Sequence, residues 1–252
     1  MSVSEDIKDV ISILKCTDID GCITGSSMID GDYDNWETIP DIDVFVYHAN
    51  ELIYAVDTMI KEYQWYPATK GEEWKIKKMR NRDVKSNLAL QTIKLKHKDH
   101  DVQVNLTWKE KRDNLFAVLS SFDMSIIMVG HDIQKKVTVD FRTKGDMVLY
   151  DENNIWSDSI YKAVPNPLRE QKVDMYGAET WVRQYGRCIK YWDRGYDTRE
   201  MAKFYIKLID QVIEDGILFE NERGKERYNL FVEEFTPMRE QMVKWLKGKE
   251  DL

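Results

Sequence analysis

The chain has 252 residues with 37 basic and 45 acidic side chains, which give a formal net charge of −8. This acidity argues against a protein that binds nucleic acid through bulk charge alone, although it is compatible with a local basic groove. The three cysteines show no zinc-binding spacing, the first residues lack a secretory signal, and no apolar run is long enough to span a bilayer. We therefore expect a soluble cytoplasmic protein with reduced thiols and no membrane partner.

The first half of the chain predicts a mixture of helices and strands. Apolar residues at helical spacing predict an N-terminal helix with Ser4 as its N-cap and a second helix over residues 50–63. Short apolar runs predict strands at residues 22–24 and 43–47. The basic run at residues 75–85 is typical of a solvated charged loop, and the alternative is a mobile loop that meets a negatively charged acceptor. Further predicted elements are a hairpin of residues 88–96 and 101–108, a helix at 111–119, and strands at 122–129 and 136–141.

The second half predicts a different kind of structure. Residues 151–167 are rich in Asn, Ser and Pro, which is typical of a linker. From residue 169 onward the apolar period is helical and predicts about four helices. Breaks are expected near residues 194–195, 215–216 and 236–237. Strands followed by helices predict an α+β fold with two domains, residues 1–150 and residues 151–252.

Two short motifs in the first half suggest chemistry. A small-residue turn, Thr24-Gly25-Ser26-Ser27, is followed after an acidic spacer by Asp41-Ile42-Asp43 and an apolar run. On a strand, alternate residues share a face, so the two carboxylates would project together as hard oxygen ligands for Mg²⁺. A Gly-Ser turn can bring backbone N–H groups to a phosphate. Phosphoryl transfer requires both a metal ion, which neutralises charge, and hydrogen-bond donors that hold the phosphates.

These two motifs resemble the signature of nucleotidyltransferases of the DNA polymerase β type. The resemblance implies a polymerase-β-like core with a mixed sheet in residues 1–150 and a helical region in residues 151–252. It further implies transfer of NMP from an NTP donor to an acceptor hydroxyl, with release of pyrophosphate. The cofactor would be Mg²⁺, with Mn²⁺ as the alternative, and the acceptor stays open among a small molecule, a tRNA, another nucleic acid and a protein.

The resemblance also assigns residues to roles. Gly25, Ser26 and Ser27 would hold the nucleotide phosphates, while Asp41 and Asp43 would bind the metal ions. The family's third carboxylate usually lies in the middle of a neighbouring strand, where this chain has the neutral residues Gln103 and Asn105. The Phe-Asp-x-Ser sequence that contains Asp123 resembles a branch of the family found in large viruses and phages. Asp123 is therefore the preferred third metal ligand and the residue that accepts the proton of the acceptor hydroxyl, and Asp101 is the alternative.

A second cluster, Arg-x-x-Lys-Tyr-x-x-Arg-Gly at residues 187–195, resembles a motif in the helical region of the same branch. Helical spacing would place Arg187, Lys190 and Arg194 on one face. By analogy these cations would contact the triphosphate or the acceptor, and Tyr191 would stack on a base. The alternative is a solvated basic helix end that complements the helix dipole.

Other function classes are less compatible with the sequence. The chain contains no nucleophile elbow, no Walker motif and no Rossmann glycine fingerprint, and its four histidines show no metal-binding spacing. Two alternatives to the transferase remain. One is a catalytically weak or inactive regulator that binds nucleotide or RNA on the same fold. The other is an interaction protein whose acidic segment, residues 30–37, is only a solvated surface.

Overall fold

The computed structural model describes residues 3–17, 19–28, 41–80, 90–142, 148–150, 163–167, 169, 175–215 and 222–249. The chain forms two compact units. The first comprises residues 1–122 and 127–159, and the second comprises residues 123–126 and 160–252. Helices and strands occur together, so the predicted α+β class is confirmed. Among the described residues, no helix has the length and apolar character needed to cross a bilayer.

The first unit is built on one mixed sheet of eight strands. The strands are β1 Gly21–Thr24, β2 Asp41–Val46, β3 Tyr66–Pro67, β4 Leu90–His97, β5 His100–Lys109, β6 Val129–Asp132, β7 Val137–Asp140 and β8 Val148–Tyr150. Their order across the sheet is β3-β4-β5-β2-β1-β6-β7-β8. The pair β2 and β5 is parallel, and the other neighbouring pairs are antiparallel. The predicted hairpin is therefore confirmed as β4 and β5.

Four α-helices lie in the described residues of the same unit. They are α1 Val3–Cys16, α2 Ala49–Glu62, α3 Lys70–Arg80 and α4 Leu115–Leu119. The predicted helices at the N-terminus and at residues 50–63 are confirmed, although α1 begins at Val3, so Ser4 lies inside it. The solvated loop predicted at residues 75–85 is wrong over residues 75–80, which are part of α3. This helix buries Ile76 in the core, and residues 81–85 lie outside the described chain.

One face of the sheet is apolar and the other is polar. On β2 the residues Ile42, Val44 and Val46 are fully buried in a core that they share with α1, α2 and α3. The intervening residues Asp41 and Asp43 are half-buried on the opposite face. Strand geometry produces this alternation because successive side chains point to opposite sides. The polar face is therefore where chemistry can take place.

The second unit is mainly helical, and the prediction of about four helices is confirmed. The helices are α5 Met175–Val182, α6 Gly186–Trp192, α7 Arg199–Asp215 and α8 Glu222–Lys247. The break predicted at residues 236–237 is wrong, because Pro237 lies inside α8. Apolar side chains on both sides of the proline, among them Phe235 and Met242, are buried, and their packing keeps the two halves in one helix.

The strand predicted over residues 122–129 is also wrong. Residues 125–127 form a 3₁₀ turn and β6 begins only at Val129. Met124 makes a single antiparallel bridge with Pro165, and the backbone N–H of Asn166 donates to the carbonyl oxygen of Asp123 at 2.9 Å. Because a proline cannot donate to a ladder, this pairing does not extend into a strand.

Candidate metal and nucleotide site

Four polar side chains form a hydrogen-bonded network on the polar face of β2 and β5. The parallel register places Asp41 opposite Gln103 and Asp43 opposite Asn105. The Gln103 Nε2 donates to Asp41 Oδ1 and to Asn105 Oδ1, and the Asn105 Nδ2 donates to Asp43 Oδ1, each at 2.9 Å. Each carboxylate is thus held by a neutral amide donor from the neighbouring strand. The prediction that the two carboxylates share one face is confirmed.

The turn that follows β1 lies directly beside this network. Gly25 has a φ of +77°, and a Cβ at this position would lie 2.6 Å from Oδ2 of Asp43. Only glycine allows both the left-handed backbone and this close approach. The Ser27 hydroxyl is buried and donates to the Thr24 carbonyl oxygen at 2.9 Å, which stabilises the turn. The Ser26 side chain lies outside the described part of the structure.

The donor set of this cluster fits a hard divalent cation. Two carboxylates carry a charge of −2, and Mg²⁺ is usually bound through one or two carboxylates together with water and substrate phosphates. Thr24, which pairs with Asp43 across β1 and β2, is fully buried. Its hydroxyl oxygen has no hydrogen-bond partner within the described residues. A buried polar atom without a partner beside two carboxylates is consistent with a site that binds a ligand.

The third carboxylate that the resemblance to nucleotidyltransferases implies is missing from the mid-strand positions of β5. The two residues in register with Asp41 and Asp43 are the amides Gln103 and Asn105, which donate to the carboxylates and do not add charge. The sequence shows that these positions are neutral, but only the register shows that they hold the acidic pair. Asp101 lies on β5, and its side chain is outside the described part of the structure.

Asp123 belongs to the second unit and has partners there. Its carboxylate is almost completely buried, accepts a hydrogen bond from Arg187 Nη1 at 2.5 Å, and lies 3.4 Å from the Tyr205 hydroxyl. Burial, followed by the charge of Asp123, raises the pKa of Tyr205 well above its ordinary value. Burial and the same charge also raise the pKa of Cys188. The side chain is therefore part of an internal polar cluster, and its role as a metal ligand stays a prediction.

In the predicted basic cluster of residues 187–195, Lys190 and Arg194 both lie near the Tyr191 ring, with the Arg194 guanidinium carbon 5.6 Å from the ring centre. Arg187 pairs with Asp123, and Arg194 lies beyond the end of α6. The Tyr191 ring is only 5% exposed and packs edge-to-face on Tyr196, with ring centroids 5.9 Å apart. Packing accounts for the position of this ring, which leaves little surface for a stacked base. Lys190 is exposed and lies 5.8 Å from the centre of the Tyr191 ring.

The end of α6 agrees with the prediction from Gly195. This glycine has a φ of +88° and donates its N–H to the Trp192 carbonyl oxygen at 2.9 Å. The next residue, Tyr196, donates to the carbonyl oxygen of Tyr191 at 3.0 Å. These two bonds are those of a Schellman motif, in which a left-handed glycine ends a helix.

One cluster was missed by the sequence reasoning, which found no metal-binding spacing around the histidines. Candidate ligand atoms of Asp20, His48 and Glu51 lie within 4.8 Å of one another at the start of α2. The pairing of β1 with β2 brings Asp20 to this helix, and the i, i+3 spacing of His48 and Glu51 is the only local signal. Two of the three side chains are exposed, and such clusters are common without an ion. Asp41 and Asp43 therefore remain the candidate metal centre.

Comparisons with models of known protein families and with functionally curated proteins give no match. Among solved structures, the chain is similar to a tRNA-processing enzyme in apo form I, with 12% identity and a TM-score of 0.44 over 91% of this chain and 56% of that chain. Apo form 2 of a tRNA-processing enzyme gives 11% identity and a TM-score of 0.42 over 88% and 58%. The chain thus spans little more than half the length of these proteins. A similarity of this extent carries no argument about activity or substrate.

Proposed function

We propose that the chain is a metal-dependent nucleotidyltransferase that transfers NMP from an NTP to an acceptor hydroxyl. In this reaction the acceptor oxygen forms a bond to the α-phosphorus and the bond from that phosphorus to the leaving oxygen breaks. Pyrophosphate leaves, and the hydroxyl proton passes to a carboxylate. The acceptor class is open among a small molecule, a nucleic acid and a protein.

The observation that carries this proposal is the close approach of Gly25 to Asp43. The turn at Gly25 can present backbone N–H groups to a phosphate. A Cβ built on Gly25 would lie only 2.6 Å from Oδ2 of Asp43, a carboxylate that can bind a cation. Backbone groups that can donate hydrogen bonds to a phosphate and carboxylates that can bind a metal are thus adjacent, as phosphoryl transfer requires. In the proposal Gly25, Ser26 and Ser27 form the phosphate-binding turn.

Asp41 and Asp43 would hold the metal, for which Mg²⁺ is the first candidate and Mn²⁺ the second. When bound, the metal would neutralise charge on the phosphates. Gln103 and Asn105 orient the two carboxylates, and the buried Thr24 hydroxyl offers a further polar contact beside Asp43. For the carboxylate that accepts the proton, Asp123 remains the first candidate and Asp101 the second. Among the cations of the second unit, Arg187, Lys190 and Arg194 are the candidates for binding the triphosphate or the acceptor.

A second candidate function is a regulator that binds nucleotide without efficient turnover. Two observations favour it. The residues in register with the acidic pair are neutral, and the Asp123 carboxylate is already held by Arg187. Without a third carboxylate to accept the proton, nucleotide binding would persist while transfer would be slow.

A transfer assay separates the two candidates. The protein is incubated with each α-labelled NTP, Mg²⁺ or Mn²⁺, and separate acceptor pools of RNA, protein and small metabolites. We expect label in one pool and stoichiometric release of pyrophosphate, both lost in Asp43→Asn. Loss of transfer in Asp123→Asn or in Asp101→Asn, with nucleotide binding retained, identifies the proton acceptor. Metal-dependent NTP binding without label in any pool would support the regulator.

A further inference from the structure

The polar face extends from the acidic pair to the edge of the sheet. Register places Tyr66 of β3 opposite Lys96 of β4, Lys96 opposite Gln103 of β5, and Gln103 opposite Asp41 of β2. Paired residues share a face, so these four side chains form one row across four strands. Three interstrand spacings of about 4.8 Å make the row about 14 Å long. An exposed aromatic ring thus lies at one end of the row and a candidate metal ligand at the other.

The strand next to the edge is cationic in an acidic protein. Lys94 and Lys96 are both exposed on the polar face of β4, opposite Asn105 and Gln103, and β4 contains no acidic residue. In the described part of the chain neither lysine has an ion pair with an acid. Two solvated ammonium groups beside a candidate phosphoryl-transfer site would attract an anionic ligand.

Helix α3 adjoins this strand from the apolar face of the sheet, where its Ile76 is buried in the core. Its Glu72 is buried and accepts a hydrogen bond from the backbone N–H of Lys94 at 3.2 Å, which fixes the helix to β4. The helix carries five cationic and two acidic side chains, a net charge of +3. Trp74 is 61% exposed with the Lys78 ammonium group 4.7 Å from the centre of its ring, and Lys77, one turn away, is exposed without an ion pair to any described acid. Glu73 is exposed on the same helix and opposes this charge only in part.

We propose that this edge surface, formed by Tyr66, Lys94 and Lys96, binds single-stranded nucleic acid. Exposed aromatic rings stack on bases, and lysines contact the phosphates between them. The row from Tyr66 to Asp41 then brings the terminal hydroxyl of the strand to the acidic pair. The identification of this strand as the acceptor rests on the proposed function, whereas the binding itself does not.

The chemistry of the surface selects single strands over other anions. A duplex hides its bases, so Tyr66 would find no ring to stack on. An acidic peptide could pair with the lysines, but it would leave the Tyr66 ring exposed to water. An exposed Tyr opposite Lys96, with Lys94 on the same face, therefore indicates unstacked bases with a phosphate backbone.

Fluorescence anisotropy of a labelled single strand of about 15 nucleotides, as RNA and as DNA, tests the proposal. The buffer contains EDTA and no NTP, so binding is measured without metal and catalysis. Each lost phosphate contact lowers the salt slope by about 0.7, so Lys94→Gln/Lys96→Gln lowers it by about 1.4. Between 50 and 200 mM salt, affinity should then fall about sevenfold more in the wild type than in this variant. Tyr66→Ala should weaken binding about tenfold.

The control is Lys207→Gln/Lys244→Gln, which removes the same charge from exposed lysines of α7 and α8. It should leave both affinity and slope unchanged. Three results would overturn the proposal: no binding by the wild type, equal losses in the two double variants, or equal competition by a duplex or by polyglutamate of matched charge. Mg²⁺-NTP binding by the wild type and by Asp43→Asn is measured separately. Absence of Mg²⁺-NTP binding by the wild type, with its single-strand binding intact, would contradict the proposed function and leave this surface standing.

Discussion

Two demands on the backbone coincide at Gly25. The left-handed φ of +77° is unfavourable for any residue with a Cβ, and the missing Cβ leaves room for the Asp43 carboxylate. Gly195 has a similar φ of +88°, yet nothing lies within 4 Å of its missing Cβ. Substitutions at the two glycines can therefore distinguish the effect of backbone strain, which both positions share, from the effect of crowding, which occurs only at Gly25.

Gly25→Ala should abolish the stabilisation of the protein by Mg²⁺ and NTP. The new methyl group displaces the Asp43 carboxylate, and the left-handed backbone costs about 1 to 2 kcal/mol of folding free energy. Thermal unfolding with and without ligand measures both effects. Gly195→Ala is the matched control. It places an alanine in the same left-handed backbone conformation and should be destabilised by a similar amount, but Mg²⁺ and NTP should still stabilise it. Equal ligand effects in the two variants would argue against a nucleotide site at Gly25.

Asn105→Asp should strengthen metal binding at the expense of stability without metal. The substitution is nearly isosteric and places a third carboxylate in register with Asp43, where an amide now donates a hydrogen bond. Like charges at this distance repel each other, and a divalent cation relieves the repulsion. Mn²⁺ titration should give a dissociation constant about tenfold lower than that of the wild type, which corresponds to about 1.4 kcal/mol.

The control for this substitution is Asn114→Asp at the N-cap of α4, where Asp is as good a cap as Asn. It changes the net charge by the same amount far from the pair in sequence and should not alter Mn²⁺ affinity. If Asn105→Asp leaves the affinity unchanged as well, the metal does not bind beside Asn105.

At the scale of elements, the second unit depends on a link between residues 123–126 and its helices. The ion pair of Asp123 with Arg187 joins this segment to α6. Arg187→Met would leave a buried carboxylate without its cation. A fully buried pair costs about 3 to 5 kcal/mol to break, but Arg187 is 44% exposed, so we expect about 2 kcal/mol.

A double-mutant cycle with Asp123→Asn measures this coupling. Urea unfolding of the two single variants and the double variant should give an interaction energy above 1 kcal/mol, in order-of-magnitude terms. Arg183→Met breaks exposed pairs with Glu179 and Glu234 and should cost less than about 1 kcal/mol. A coupling near zero would show that Asp123 is not held by Arg187 in solution.

Sequence patterns predicted elements well where one residue type decides the local conformation. Gly195 ends α6 as expected, and the alternation on β2 correctly placed Asp41 and Asp43 on one face. The strand predicted around Asp123 failed because an apolar run cannot reveal that its pairing partner contains Pro165. The helix end expected at Pro237 is wrong because the burial of Phe235 and Met242, which keeps α8 continuous, is a tertiary effect that no local pattern shows.

The candidate site was only partly readable for the same reason. The sequence identified Gly25, Asp41 and Asp43, since each belongs to a local motif. It could not show that Gln103 and Asn105 donate hydrogen bonds to the two carboxylates. Those contacts depend on the register of two parallel strands about 60 residues apart, and no local sequence pattern predicts that register. The cluster of Asp20, His48 and Glu51 was missed because pairing of two strands assembles it.

At the scale of the whole molecule, stability should fall as the pH rises above about 9. Burial raises the pKa of Cys22 and of Cys188 above the ordinary value of 9.0. The unfolded chain then loses these thiol protons while the folded chain keeps them, so alkaline pH favours unfolding. Each thiol contributes a slope of about 1.4 kcal/mol per pH unit above its unfolded pKa.

Urea unfolding between pH 8 and 10.5 measures this slope. Cys188→Ala should make it shallower by about 1.4 kcal/mol per pH unit in the upper part of this range, whatever the variant costs in stability at neutral pH. Cys16→Ala is the control, because Cys16 is exposed. Identical slopes in the wild type and in Cys188→Ala would contradict a buried thiol at this position.

The net charge of −8 describes the whole chain, while α3 and β4 are locally cationic. The negative charge of the chain as a whole repels polyanions, whereas the basic edge surface attracts them. Any binding of nucleic acid should therefore be specific to one face and sensitive to salt.

Thermal unfolding of the wild type and of Asp43→Asn, with each of the four NTPs and with or without Mg²⁺, tests the central claim most directly. A ligand present at about one hundred times its dissociation constant should add about 2.7 kcal/mol to the free energy of unfolding. We predict a Mg²⁺-dependent increase in the melting temperature of the wild type that disappears in Asp43→Asn. No shift with any NTP, or the same shift in both proteins, would contradict a metal and nucleotide site at Gly25, Asp41 and Asp43.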